Sequence, residues 1–251
     1  MVWVNTKKLS LLYKNIMDKI NICYVINDSK PFINLTLNSI YLIKKFFRSN
    51  KHVLNFYILS ENKLELPNDI TNIISPYKNI PLFWQRMYIS ELIGKSKVIF
   101  LDSDTMVYTC ISKLWNIDIG DNIVGMAPHY CMHDIQSMIK HYSLQNYKMF
   151  DEKKHIKKYY NAGVVLINCN KWLEENMTSK CLKAYEHIGD TNHYKNDEPV
   201  YNIVLSDHIY ELDEVWNYFP RESYKRANIV HYYGKYFKNK PFHNEFTIFP
   251  D

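Results

Sequence analysis

The sequence predicts an α/β fold: a doubly wound, mostly parallel sheet flanked by helices, in a single domain. Three observations predict it. Short apolar runs alternate with helix-length amphipathic stretches between Asn21 and Leu101, the pattern of strand–helix–strand units. The chain has 251 residues, of which 47% are hydrophobic, enough to bury one large core. One apolar run, Lys97-Val98-Ile99-Phe100, leads into Leu101-Asp102-Ser103-Asp104-Thr105. That puts two carboxylates at the carboxyl end of a strand, where open α/β sheets bind ligands.

The elements follow in order. Asn21-Ile22-Cys23-Tyr24-Val25-Ile26 reads as the first strand and ends in the polar turn Asn27-Asp28-Ser29. Pro31 opens a helix that runs to about Arg48, with Phe32, Leu35, Leu42, Ile43 and Phe46 on one face. Val53 to Leu59 is the second strand. Trp84 to Ile93 reads as a helix that Gly94 stops. Val98 to Leu101 is the third strand, and Ile123 to Ala127 a further short one. After Pro128 a long polar stretch reaches Tyr159 without a strand period, as lids or separate helices do. Gly163 to Ile167 is a buried strand. Asn170 is expected to cap the next helix, which spaces Trp172, Met177, Cys181, Ala184 and Ile188 along one side. The tail alternates short strands and aromatic loops and reaches Ile229-Val230-His231-Tyr232.

Composition narrows the function. A net charge of +5 suits an anionic small substrate and not a dedicated nucleic-acid binder. No apolar run approaches the ~20 residues of a membrane span. Met1 to Lys19 lacks the long apolar segment of a secretory signal. Five scattered cysteines point to reduced thiols and a cytoplasmic location. Lys153-Lys154-His155-Ile156-Lys157-Lys158 is the densest positive run. It reads as a solvated lid edge, with an anionic acceptor or peripheral contact with a membrane surface as the alternative. His129, Cys131 and His133 match no common zinc spacing and lack a fourth ligand.

The acidic pair carries the chemistry. Two like charges this close repel unless a cation sits between them. A hard divalent ion does that and takes further oxygen partners from a phosphate-bearing substrate. A solvated acidic turn is the plain alternative. Other segments then line up: Tyr160-Asn161-Ala162-Gly163, Asn168-Cys169-Asn170-Lys171-Trp172, Asn196-Asp197-Glu198-Pro199-Val200-Tyr201-Asn202, Val215-Trp216-Asn217-Tyr218, Ile229-Val230-His231-Tyr232-Tyr233-Gly234 and Lys240-Pro241-Phe242. In this order and at these spacings the chain resembles family-eight glycosyltransferases, the group containing glycogenin and bacterial lipopolysaccharide galactosyl- and glucosyltransferases. The resemblance runs from about Asn21 to Phe242.

It implies a GT-A fold with a Rossmann-like sheet, the nucleotide-binding half over 20–127 and the sugar and acceptor half over 128–251. It also implies Mn²⁺-dependent transfer of a hexose, glucose or galactose, from a UDP-sugar with retention of configuration; Mg²⁺ is the alternative ion. By this match Asp102, Asp104 and His231 are the metal ligands. Lys240 contacts the diphosphate. The spacer after Gly234 is about two residues longer than the family's, so Lys235 and Lys238 are rivals, and Phe242 replaces a Trp. Asn27 and Asp28 begin the uridine pocket, although Val25-Ile26-Asn27-Asp28 departs from the family's Ala-x-Asp. Arg86 lies near the diphosphate and sugar, or else is a helix-surface arginine. Ser103 touches the ribose. Asn161 bonds the donor sugar or its neighbours, and Ala162 and Gly163 let the backbone approach the sugar. Asp197 contacts donor hydroxyls.

Glu198 stands where relatives place a Gln beneath the anomeric carbon. A carboxylate there either stabilises an oxocarbenium-like transition state or attacks to form a glycosyl-enzyme. Front-face transfer within an ion pair is the alternative, and a helix N-terminal acid is the structural one. The acceptor is left open among a glycan, a lipid-linked sugar and a protein. The competing functions are a catalytically weak sugar-nucleotide-binding protein, a self-glucosylating protein like glycogenin, and a nucleotidyltransferase. The last is disfavoured because Asn27-Asp28-Ser29-Lys30 holds no glycine.

Overall fold

The structure is a computed structural model that describes residues 17–141, 157–189, 197–220 and 227–232. Seven strands form the main sheet: β1 (Asp18–Val25), β2 (His52–Ser60), β3 (Ile70–Ile74), β4 (Lys97–Leu101), β6 (Val124–Pro128), β7 (Tyr160–Asn168) and β8 (Ile209–Glu211). Their order is β3-β2-β1-β4-β7-β6-β8. Two further strands, β5 (Thr105–Val107) and β9 (Ile229–His231), pair with each other. Both faces of the main sheet are covered. Val165 and Ile167 of β7 join one core with Cys23, Phe100 and Trp172. Val164 and Leu166 join the other with Ile22, Tyr24 and Leu101. Burial on both sides is why these strands read as unbroken apolar runs.

The sheet is mostly parallel, as expected, with one exception that matters. β7 runs antiparallel to both β4 and β6, while β1, β2, β3 and β4 are mutually parallel and β8 is parallel to β6. The reversal lays the beginning of β7 beside the carboxyl end of β4, so Leu101 pairs with Val164. Asn161 and Gly163 thereby reach the acidic turn. The β5–β9 pair does the same for the tail, because Thr105 lies opposite His231.

Helix α1 (Lys30–Phe46) starts with Pro31 in its first turn and carries Lys44 and Lys45 in its last, the favourable end for cations. Its Leu35 and Leu42 bury against Met106, Val230 and Tyr232. This helix therefore backs the ribbon that holds His231. Several expectations change. Ile70–Ile74 is an edge strand not foreseen. The segment from Trp84 is a 3-10 helix (Leu82–Tyr88) followed by the short helix α2 (Ile89–Ile93). Pro81 sets that tighter start, and Gly94 at φ 90° ends it. Beyond α3 (Ser112–Trp115), the polar stretch after Pro128 contains α4 (Ile135–His141). Asn168, not Asn170, caps α5 (Cys169–Glu174), its Oδ1 accepting from the Lys171 N–H at 3.3 Å. Asn176 at φ 52° separates α5 from α6 (Met177–Gly189). Helix α7 spans Glu198–Val204. Among the described residues no helix is long and apolar enough to cross a membrane.

Candidate active site

The acidic turn is locked from both sides. The Asp102 N–H donates to Gly163 O at 2.8 Å. The Asp102 carbonyl accepts from the Thr105 N–H at 3.1 Å and from Thr105 Oγ1 at 2.7 Å. Opposite lies His231, whose Nε2 is 3.2 Å from Asp104 Oδ1 and 3.6 Å from Asp102 Oδ2. One ligand atom from each of Asp102, Asp104 and His231 falls within 4.8 Å of the others. His231 is buried, whereas the Asp102 side chain is 38% exposed and that of Asp104 18%. The carboxylates are thus partly accessible to solvent while the imidazole is not. Two carboxylates and one imidazole are a donor set that Mn²⁺ accepts.

His231 sits where a side chain at residue 163 would be. A Cβ on Gly163 would lie 2.1 Å from His231 Cε1 and 2.5 Å from Nδ1. The missing side chain therefore admits the imidazole. Making room for that ring is a role of Gly163 that the sequence did not announce. Ala162 is buried, with its side chain in the core beside Trp84 and Phe100. Only its peptide groups serve the site, accepting from Arg86 and donating to Glu198.

Arg86 is not a surface arginine. It is 6% exposed, and its guanidinium lies over the rings of Phe100 and Tyr201 at 5.1 and 4.8 Å. Nη1 donates to Ala162 O at 2.9 Å, Nη2 donates to Asp197 Oδ1 at 2.5 Å, and Nε faces Asp197 Oδ2. Nη1 also stands 3.9 Å from Asp102 Oδ1. Burial alone would lower the Arg86 pKa; Asp197 foremost, with Tyr201, Asp102 and Glu198, outweighs it and leaves it raised. Burial lifts the Asp197 pKa to about 6 against the pull of Arg86, so the pair is charged on both sides at neutral pH. A bidentate fork of this kind fixes orientation as well as charge.

Glu198 opens α7 and is buried beside β7. Its Oε2 accepts from Asn161 Nδ2 at 2.7 Å and from the Ala162 N–H at 3.0 Å. Its Oε1 lies 3.9 Å from His129 Nε2. Burial raises the Glu198 pKa to about 7, opposed first by the Ala162 N–H and then by Tyr159. Burial lowers the His129 pKa to about 4, with His231 adding to the effect. His129 Nδ1 accepts from the N–H groups of Cys131 and Met132, both at 3.0 Å. That is a turn cap, not a zinc ligand, and Cys131 is exposed.

The remaining residues separate. Asn27 Oδ1 accepts from the Ser29 N–H at 3.0 Å, and Asp28 Oδ2 accepts from Asn62 Nδ2 at 2.9 Å. Both lie beyond the carboxyl end of β1, on the edge of the sheet that also carries the acidic turn. Ser103 is 9% exposed between the two acids. Lys157 pairs with Asp207, and Lys158 with Glu211 at 2.7 Å. Gly234, Lys235, Lys238 and Lys240 lie outside the described residues, as does the Lys153–Ile156 part of the basic run. Two buried residues without a forecast role, Asn217 and Asn202, join the site. Asn202 binds both peptide groups of Tyr160 at 2.7 and 2.8 Å. A lone Asn has no spacing signal; only its place in the quoted segments marked either one. Next to this cluster is a cavity of about 240 Å³ lined by His129, Tyr130, His133, Glu214, Asn217 and Phe219, among others.

Comparison with known proteins gives a consistent picture. The family model of glycosyl transferase family 8 matches residues 34–245. The probable galacturonosyltransferase-like 3 of Arabidopsis thaliana is 27% identical over 182 residues, covering 70% of this chain and 52% of that protein. General stress protein A of Bacillus subtilis (strain 168) is 30% identical over 138 residues, 53% of this chain and 44% of that protein. The chain spans about half the length of these curated relatives. Among solved structures, the galactosyltransferase LgtC in complex with donor and acceptor sugar analogs superposes with a TM-score of 0.65 at 19% identity. It covers 91% of both chains and shares the GT-A fold. With the family matched over most of its length, this chain is a member of glycosyltransferase family 8.

Proposed function

We propose that the protein is a Mn²⁺-dependent, retaining hexosyltransferase that moves glucose or galactose from a UDP-sugar to an acceptor hydroxyl. One observation carries the reading: Asp102 and Asp104, together with His231 from far along the chain, bring one oxygen or nitrogen each within 4.8 Å of one another, with both carboxylates partly exposed. A divalent cation there, Mn²⁺ or Mg²⁺, supplies Lewis-acid stabilisation of a diphosphate leaving group. The other roles belong to the chain's own side chains. Asn27, Asp28 and Ser103 are assigned to the uridine and ribose. Lys240 near Gly234, or one of its rivals Lys235 and Lys238, is assigned to the diphosphate. Asp197 is assigned to the donor hydroxyls, and its fork with Arg86 holds it in place before substrate arrives. Asn161 is assigned to the residues that surround the sugar, since its amide is engaged by Glu198, Gly163, Asn217 and His231.

The acceptor, a glycan, lipid-linked sugar or protein, enters through the cavity beneath the segment that follows Pro128. Front-face transfer is the favoured route. The bond from the anomeric carbon to UDP breaks, the acceptor oxygen bonds to the same face, and its proton passes to the departing phosphate. Glu198 supports this choice, because it is buried, its Oε2 is held by Asn161 and Ala162, and burial raises its pKa to about 7, so it is less readily available as a charged nucleophile. Five free cysteines fit action in the cytoplasm.

The test is UDP release from UDP-glucose, UDP-galactose and, because of the galacturonosyltransferase-like relatives, UDP-galacturonate. It is run with Mn²⁺ on wild type and on Asp104→Asn. Release with a hexose donor is expected, reduced at least about a hundredfold in the variant. Activity with no donor, or equal rates in the two proteins, contradicts the proposal.

A further inference from the structure

We infer that Asn217 is a positioning residue for the metal site: together with Asn161 it holds a proton on His231 Nδ1 and so turns the lone pair of Nε2 toward Asp102 and Asp104. The inference rests on the metal reading proposed above and deepens it.

The hydrogen bonds determine each orientation in turn. Asn161 Oδ1 lies 3.0 Å from the Gly163 N–H, which can only donate. The oxygen of that amide therefore faces inward, and its nitrogen faces Glu198, donating at 2.7 Å. Asn217 Nδ2 sits 2.7 Å from the same Asn161 Oδ1 and must be the donor there. That leaves Asn217 Oδ1 against His231 Nδ1 at 3.0 Å, with Asn161 Oδ1 at 3.1 Å from the same nitrogen. His231 Nδ1 thus meets two oxygens that can only accept, and it carries a hydrogen. The neutral ring then has a bare Nε2, aimed at the carboxylates. In this tautomer a lone pair and two carboxylates converge, and either a divalent cation or a second ring proton facing Asp104 relieves their repulsion.

Asn217 is placed for this by the backbone. The neighbouring Tyr218 N–H donates to Ile229 O and the His231 N–H donates to Tyr218 O, each at 2.9 Å. The segment is thereby registered to β9. Asn217 is 2% exposed, Asn161 1% and His231 1%, so the three side chains are held against one another and not by bulk solvent. Partners that orient a metal-binding histidine through its second nitrogen commonly tune affinity as much as the ligands allow.

The test is a titration of the protein with MnCl₂ alone, read by the electron paramagnetic resonance of free Mn²⁺, for wild type and Asn217→Leu. Binding about 10- to 100-fold weaker is expected in the variant. A second measurement does not depend on that variant folding. Long-range nitrogen–proton spectra of histidine-labelled wild type, with His231 assigned through His231→Gln, are recorded at a pH where the ring is neutral. They are expected to show the hydrogen on Nδ1. A folded Asn217→Leu with affinity within about twofold of wild type, or a hydrogen on Nε2, overturns the inference. Absence of Mn²⁺ uptake by wild type would instead sink the metal reading, and the tautomer would still decide the role of Asn217.

Discussion

Gly163→Ala destabilises the protein by about 1–3 kcal/mol and weakens Mn²⁺ binding at least about tenfold. The new Cβ falls 2.1 Å from His231 Cε1 and 2.9 Å from Nε2, well inside contact distance. Neither side can yield cheaply. The imidazole is held by Asn161 and Asn217 through Nδ1 and lies 5.5 Å from the Phe219 ring centre. The strand is held because Gly163 donates to Asn161 Oδ1 and accepts from the Asp102 N–H. Relief therefore comes by moving His231 away from the acids or by shifting β7. Gly125→Ala is the control. Its Cβ would meet Ile119 Cγ2 at 3.2 Å and Leu212 Cδ2 at 3.3 Å, contacts that a shift of a few tenths of an ångström relieves, and the cost is expected to be smaller than at Gly163. Urea unfolding and Mn²⁺ titration of both variants decide the matter; identical behaviour of the two would refute the close-approach account.

Glu198→Gln stabilises the protein at alkaline pH while keeping substantial activity. The buried Glu198 carboxyl is raised from 4.5 to about 7, so the folded protein holds its proton more tightly than the unfolded chain does. The sign follows from linkage. The stabilising contribution is complete below pH 4.5 and is lost as pH rises to about 7, because only the unfolded state ionises freely across that window. A Gln does not titrate, and its carbonyl still accepts from Asn161 Nδ2 and the Ala162 N–H. At pH 8 the variant is expected to be about 2–3 kcal/mol more stable than wild type, with the difference vanishing near pH 4.5. Urea midpoints at the two pH values measure this. Front-face transfer further predicts UDP release within about tenfold of wild type. A loss of several orders of magnitude with UDP affinity intact would make Glu198 the nucleophile instead.

What the sequence disclosed follows from how each feature is made. Val98 to Leu101 and Gly163 to Ile167 were visible because burial on both faces demands unbroken apolar residues. The acidic pair was visible because two carboxylates beside such a run contradict packing. The direction of β7 was not, since an apolar run carries no arrow. Yet that direction brings Gly163 to Asp102 and Asn161 to His231. The edge strand Ile70-Thr71-Asn72-Ile73-Ile74 was missed because it is short, half polar and follows a turn-like Pro67. Arg86 was ambiguous because its counter-charge, Asp197, lies 111 residues later. Asn217 belonged to a quoted segment, but a single amide announces no partner. The fit of His231 against Gly163 was not legible because the ring comes from the far end of the chain.

The central claim is that Asp102, Asp104 and His231 form one cation site serving a nucleoside diphosphate. Equilibrium binding of Mn²⁺ in the presence of UDP, compared between wild type and His231→Ala, tests it most directly. The account predicts one Mn²⁺ per wild-type chain, held more tightly when UDP is added, and uptake at least about a hundredfold weaker in His231→Ala. Wild type that takes up no Mn²⁺, or a variant that binds it as well as wild type does, would contradict the account.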